Sequence, residues 1–300
     1  MKRKAIYIIM VSLLAAAAAS CTREFQAPDG EEATLTVTAS LDAAMDGGTK
    51  ASADGGLTNL AGQGYQLRYM MELWSHDGET IEYKATPKYI DITDNMSMSV
   101  EYNLNLLAKK YKMVLWADIV KKDDISNVYN WKYDISDGLT AIGFPEGSAF
   151  GSDEYDAFTA VADVDLIGGS KVIEATLKRP FAKIRVIDDR TNTDPQVKTK
   201  LYFSTEIEIP QTYDALNRTV KTYSKLSYSP ECISATETNI GLCLFTGYIF
   251  VPETGADQQS TKYSFTIVVS DENNTSVANV PVYDVTVRRN ALTTVKGKIL

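Results

Sequence analysis

The sequence is poor in the residues that most enzymes and metal sites use. It contains one histidine, His76, and three cysteines among 300 residues. Histidine-based triads, multi-histidine metal sites and folds held together by many disulfides are therefore disfavoured. We predict a non-enzymatic protein with no catalytic residues, no metal site and no cofactor.

Basic residues are also scarce. The chain has 30 Lys and Arg against 39 Asp and Glu, a formal net charge of −9. Three of these cations lie in the first four residues, in a segment that we expect to be removed. So acidic a chain lacks the basic surface of a nucleic-acid-binding protein, and anionic membrane surfaces would repel it. We therefore expect no nucleic-acid partner.

Only the N-terminus carries a long apolar run. Residues 5–19 follow Lys2-Arg3-Lys4 and precede Ser20-Cys21, the arrangement of a secretory signal. The run is too short to cross a bilayer, which takes about 20 residues. The string Ala18-Ala19-Ser20-Cys21 resembles a bacterial lipobox, in which the cysteine becomes the lipidated first residue.

We therefore predict a signal peptide over 1–20 and a lipidated tether over 21–33. Lipid on Cys21 would hold the protein at the cell outer membrane or the cell surface. Plain secretion, with Cys21 as a spare thiol, is the alternative.

The remainder of the chain is typical of β-strands. Residues 34–41 alternate strictly, with Leu35, Val37, Ala39 and Leu41 on one face and Thr or Ser on the other. No segment shows a sustained 3.6-residue apolar period; short helical turns are expected near 103–109 or 194–199. Further strands are predicted at about 66–75, 79–84, 88–93, 97–106, 111–118, 128–135, 157–167, 200–209, 219–228, 241–251, 262–270, 277–289 and 293–300. Hairpin turns are predicted at Asp77-Gly78 and Asn273-Asn274.

The apolar alternation changes phase near Pro180. Before it, Ile173, Ala175 and Leu177 place the apolar face on odd positions; after it, Ala182, Ile184 and Val186 place it on even ones. A one-residue shift turns a strand's apolar face to the other side, so the chain leaves one hydrophobic core and enters another. The fold class is therefore all-β, with two tandem β-sandwich domains over 34–179 and 180–300.

Two groups of residues can each be interpreted in two ways. Cys232 and Cys243 either form a disulfide or remain buried free thiols. Trp74, Trp116 and Trp131, with their neighbouring tyrosines, either form a sugar-stacking platform or belong to the core of a sandwich.

Four motifs, in order and behind the lipoprotein start, resemble the fimbrillin-like lipoproteins of Bacteroidetes, the family of type V pilus subunits and their relatives. They are Tyr111-Lys-Met-Val-Leu-Trp-Ala-Asp118, Asp156-Ala-Phe158, Leu177-Lys-Arg-Pro-Phe-Ala-Lys-Ile184 and the terminal Arg288-Arg-Asn-Ala-Leu-Thr-Thr-Val-Lys-Gly-Lys-Ile-Leu300. The resemblance implies sandwiches of transthyretin-like type and a role in cell adhesion.

The resemblance also implies a route of assembly. In polymerising members a protease cuts after a basic residue behind the first strand, and a C-terminal strand of a neighbouring subunit fills the groove. Here the released strand would be 34–41 and the candidate processing residue is Lys50. An incidental loop lysine in a chain that is never cleaved is the alternative.

The candidate donor strand is the C-terminal end, where Val285, Val287, Val295 and Ile299 share odd parity. This end is compatible with a donated strand and with one that closes its own sandwich. The expected partners are other pilus subunits or further copies of this chain, the membrane through the N-terminal lipid, and a host or bacterial surface ligand. The expected function is a lipid-anchored pilus subunit or accessory, placed at the cell surface or in a fimbrium. The alternatives are a surface glycan-binding lipoprotein and an uncleaved pilus anchor or cap.

Overall fold

The described part of the chain is almost entirely β-sheet. A computed structural model describes residues 30–42, 56–93, 98–124, 132–145, 153–188, 200–228, 233–234, 242–253, 260–271 and 273–297. The strands are β1 (Glu32–Leu41), β2 (Tyr65–Ser75), β3 (Ile81–Lys84), β4 (Lys88–Asp91), β5 (Ser99–Leu107), β6 (Lys110–Lys121), β7 (Ile142–Gly143), β8 (Ala157–Asp165), β9 (Lys171–Leu177), β10 (Phe181–Asp188), β11 (Lys200–Asp214), β12 (Thr219–Tyr228), β13 (Ile233–Ser234), β14 (Leu242–Phe250), β15 (Ser260–Ser270), β16 (Ser276–Arg288) and β17 (Leu292–Gly297). Short 3₁₀ helices lie at Gly56–Leu60, Lys122–Asp124 and Asp153–Tyr155. The predicted all-β fold class is confirmed.

The first half of the chain forms two facing sheets. One has the strand order β5-β1-β9, and the other has β3-β2-β6-β8 with β4 also paired to β2. In the first sheet β1 runs antiparallel to β5 and parallel to β9. Side chains from both sheets fill the space between them, as in a β-sandwich.

The second half repeats the same arrangement. Its sheets have the orders β14-β10-β17 and β12-β11-β15-β16. Here β10 takes the place of β1, antiparallel to β14 and parallel to β17. In each half, therefore, the first strand lies in the middle of a three-stranded sheet and the last strand lies beside it, in parallel.

The phase change near Pro180 is confirmed. Ala175 and Leu177 belong to the first core, whereas Ala182, Ile184 and Val186 belong to the second. The strand before Pro180 pairs in the first half and the strand after it pairs in the second. The change of sheet does not test the domain bounds 34–179 and 180–300, which stay a prediction.

A third core lies between the two halves. The outward face of β2 and β6 supplies Trp74 and Trp116, and the second half supplies Phe181, Tyr213 and Phe250. The rings of Phe181 and Phe250 lie 4.7 Å apart, and those of Tyr213 and Phe250 are stacked at 5.2 Å. Because this sheet is covered on both faces, β2 and β6 are buried along nearly their whole length.

Buried charges cross the same junction. The Arg179 guanidinium, just before β10, donates two hydrogen bonds of 2.7 Å to the Asp156 carboxylate, just before β8. Their side chains are 3% and 0% exposed. Nearby, the Lys183 ammonium donates to Asp153, which also accepts from the Tyr248 hydroxyl. The turn at 153–156 thus joins the first half to β10 and β14 of the second.

Two details differ from the sequence predictions. The predicted strand over 128–135 is wrong over its described part, where Asp134 forms only an isolated bridge to Gly143. A helical turn at 103–109 is also wrong, since β5 continues to Leu107 and pairs with β1 throughout. The alternative turn at 194–199 lies outside the described residues. Both predicted hairpin turns are confirmed, with left-handed backbone at Gly78 and Asn274.

Loss of the Asp156 carboxylate should destabilise the whole molecule. Asp156→Asn leaves the Arg179 charge buried without its anionic partner, which costs about 3 kcal/mol or more of unfolding free energy. Equilibrium urea unfolding measures this loss. Glu206→Gln is the control, because it breaks the exposed Glu206–Lys225 pair and should leave the midpoint unchanged. Equal midpoints for the two variants would contradict the stabilising role of the junction.

Candidate strand-exchange site

The predicted first strand lies in the centre of its sheet. The side chains of Leu35, Val37 and Ala39 are fully buried, and Leu41 is half-buried against the same core. They point towards β2 and β6 of the facing sheet, while the alternate Thr and Ser residues face outwards. The alternation read from the sequence is confirmed, and these apolar side chains fill a trough between the two sheets.

Both edges of β1 are paired. Val37 stands opposite Tyr102 of β5 on one side and Ile173 of β9 on the other. On the outer face the Thr36 hydroxyl donates to the Asn103 side chain at 2.8 Å. Removal of β1 would therefore leave two rows of backbone N–H and C=O groups without partners, on either side of an apolar trough.

The walls of this trough are held in place by contacts that do not involve β1. On the β5 side, the Tyr69 hydroxyl donates to the Met98 carbonyl at 2.9 Å and the Tyr102 hydroxyl donates to the Tyr69 carbonyl at 3.0 Å. Burial raises the pKa of both hydroxyls, so both stay protonated donors. On the β9 side, the backbones of Thr159 and Lys178 exchange two hydrogen bonds, of 2.8 and 3.0 Å. The trough is thus a feature of the scaffold.

Sequence reasoning did not find these wall residues. Tyr69 and Tyr102 occupy inward positions of their strands, where a buried tyrosine needs a hydrogen-bond partner. The need of a buried tyrosine for a partner could have pointed to these two residues. The sequence does not show which strands are neighbours, however, so the partners of the two hydroxyls could not be predicted.

The candidate donor residues lie on two strands. Val285 and Val287 belong to β16 and Val295 to β17, separated by the turn at 289–290. Val287 is fully buried in the second core, and Val285 and Val295 are half-buried against it. β17 is an edge strand that pairs with β10 on one side. Ile299 lies outside the described residues.

Several predicted residues cannot be placed. Cys21, Lys50, Trp131 and Cys232 lie outside the described residues, and Cys243 is described only through its backbone, which stands opposite Ile187. Lipidation, processing and the disulfide therefore stay predictions.

The described aromatic residues of the predicted sugar-stacking platform belong to the core. Trp116 and Tyr133 are fully buried and meet edge to face with their ring centres 5.4 Å apart, and Trp74 is 8% exposed. None of these three can stack on a sugar at the surface, so the core interpretation is confirmed for them.

Comparison with known proteins places the chain in a family. The profile of a family of unknown function, DUF6562, matches residues 27–300. The chain belongs to this family. No curated protein matches it.

Solved structures similar to this member of the family include two fimbrial proteins of Porphyromonas gingivalis. The tip fimbrial protein Mfa3 is 11% identical with a TM-score of 0.45, the match covering 89% of this chain and 94% of that one. The anchor protein Mfa2 is 12% identical with a TM-score of 0.45, the match covering 82% of both chains. A Bacteroides thetaiotaomicron protein described as a candidate polysaccharide-binding protein is 13% identical with a TM-score of 0.47, the match covering 83% and 80%.

The described residues contain no helix with the length and apolar character needed to span a membrane. They also contain no group of three or more His, Cys, Asp or Glu side chains arranged to hold a metal ion.

Truncation of a side chain in the trough should show how strongly β1 is held. Leu35→Ala removes a fully buried side chain and should lower the unfolding free energy by about 3 kcal/mol through lost burial and the cavity left behind. Chemical denaturation measures the change. The matched control is Val172→Ala on the adjacent strand β9, where the side chain is 75% exposed and the change should stay within about 0.5 kcal/mol. Similar values for both would contradict the buried role of β1.

Proposed function

We propose that this chain is a non-enzymatic, lipid-anchored protein of the bacterial cell envelope, a pilus subunit or pilus accessory that assembles by strand exchange. The observation that carries the proposal is the position of β1, a central strand in a trough whose walls are fixed without it. A strand that is added to such a trough gains main-chain hydrogen bonds on both edges and pockets for alternate side chains.

The processing step would cut the chain behind β1. Lys50 lies in the stretch between Leu41, the end of β1, and the 3₁₀ helix that begins at Gly56. Cleavage after Lys50 would leave β1 held only by its hydrogen bonds and its buried side chains. A strand from a neighbouring subunit could then take its place.

The donated strand would come from the C-terminal end. Among the described strands β17 pairs with β10 alone, and its side chains over 292–297 are half-buried or exposed. It can therefore leave its own sheet at a much lower cost than β1 can. The partner is another pilus subunit or a further copy of this chain, and lipid on Cys21 would tie the unprocessed form to the outer membrane.

A second candidate function is an uncleaved anchor or cap. The completeness of the first sandwich favours it, because β1 fills its trough with Leu35, Val37 and Ala39 fully buried. A chain in this state cannot accept a donor strand, but it can still donate its own C-terminal strand.

The first test is the N-terminus and mass of the protein isolated from its native envelope. A polymerising subunit should begin at Ala51 and lack β1, and Lys50→Ala should block both the cleavage and the formation of high-mass assemblies. Lys88→Ala, outside the 42–55 stretch, is the matched control and should be processed normally. A chain that begins at lipidated Cys21 with β1 intact would overturn the polymerising role and assign the anchor or cap.

A further inference from the structure

A polar cleft lies at the junction of the two halves, beside the Thr159–Lys178 contact that borders the trough of β1. It consists of two adjoining cavities of about 300 and 510 Å³, which share Val161, Arg218 and Glu253. One continues to Lys178 beside β9 and the other to Lys112 on β6. Cavities of this size are in the range of ligand sites.

The cleft is positive although the chain is acidic. Its described lining includes four cations, on Lys112, Lys178, Arg218 and Arg289, against the carboxylates of Asp163 and Glu253. The whole chain carries a net charge of −9. A local excess of positive charge in such a protein attracts anions selectively.

Two of the cations are held in fixed positions by one carboxylate. Glu253 accepts from the Arg218 guanidinium at 2.8 Å and from the Arg289 guanidinium at 2.8 Å, with one carboxylate oxygen for each. The Glu253 backbone N–H donates to the Arg218 carbonyl at 2.9 Å, and Arg289 also donates to the Arg179 carbonyl. One carboxylate therefore neutralises only one of the two positive charges. Because both guanidinium groups are held in fixed positions, they are suited to binding a further carboxylate.

The shape and lining of the cleft favour a sugar acid over other anions. The cations are distributed along the two cavities rather than around one point, which suits a ligand with spaced negative charges. Asn217, Asn290 and Thr176 add amide and hydroxyl groups for sugar hydroxyls, and no aromatic ring is among the described lining residues. A neutral sugar, which depends on stacking, would be held weakly here.

We propose that this cleft binds an acidic oligosaccharide, whose carboxylates pair with Arg218, Arg289 and Lys178. This inference goes beyond strand exchange, since it depends on neither cleavage at Lys50 nor lipid on Cys21. A pilus-related protein with such a cleft would recognise a uronic-acid-containing surface glycan.

The test is isothermal titration of the intact, uncleaved chain with trigalacturonic acid and with its neutral counterpart, galactotriose. We expect saturable binding of the acid that weakens with added salt, and much weaker binding of the neutral sugar. Arg218→Gln and Lys178→Gln should each weaken binding of the acid by about tenfold or more, because each removes a hydrogen bond to a charged group.

Lys178→Gln separates binding from folding. The Lys178 side chain is exposed in the cleft, so its replacement should leave the thermal midpoint unchanged. Lys225→Gln, on β12 and paired with Glu206 outside the cleft, is the control that should bind as the unaltered chain does.

Four results would overturn the proposal: no binding of the acid, equal binding of the neutral sugar, equal loss of binding in Lys225→Gln and Arg218→Gln, or tighter binding of an Asp- and Glu-rich peptide. The last would assign the cleft to an acidic protein partner. All are independent of the native N-terminus, so failure here leaves the strand-exchange proposal unaffected.

Discussion

The structure depends on the burial of one sheet on both of its faces. The sheet β3-β2-β6-β8 packs against β1, β5 and β9 on its inner side, and its outer side meets the second half through Trp116, Phe181 and Phe250. Charged side chains on this outer face must then be paired, because an unpaired charge in the interior is costly. Arg68 and Asp118 accordingly form a buried bidentate pair at 2.8 and 3.0 Å, and Arg179 and Asp156 form another at the junction.

The same constraint explains what the sequence could predict. β1 has one face in the core and one in solvent, so its strict alternation identified its limits to within two residues and its buried side chains correctly. β12, at the edge of its sheet, was predicted at its observed bounds, 219–228. The double burial of β2 and β6 was not predicted, because their nearly continuous apolar runs do not tell which neighbours cover the two faces.

The direction and order of strand pairing could not be predicted. Parity along a strand gives the face of each side chain but not the identity of the neighbour, so the parallel pairings β1–β9 and β10–β17 were not foreseen. In β16 the parity itself changes. The left-handed backbone at Asp284 marks a bulge between Val282 and Val285, and both valines therefore point to the second core despite opposite parity. The cleft was missed for a similar reason, since Arg218, Glu253 and Arg289 come from three separate turns.

The repeated topology places β1 in the centre of its sheet and β17 at the edge of its own. The free energy needed to release the strand is therefore very different for the two. Leu35 and Val37 on β1 are fully buried, at about 1.5–3 kcal/mol each, and the strand also loses hydrogen bonds on both edges if it leaves. This total approaches the whole stability of an ordinary domain, about 5–15 kcal/mol, so spontaneous release of β1 from its trough is rare, even after the chain is cut. β17 loses one ladder and half-buried side chains only. Strand exchange in this fold is therefore faster when a donor strand that is already free displaces β1 stepwise, each new pair forming as an old one breaks.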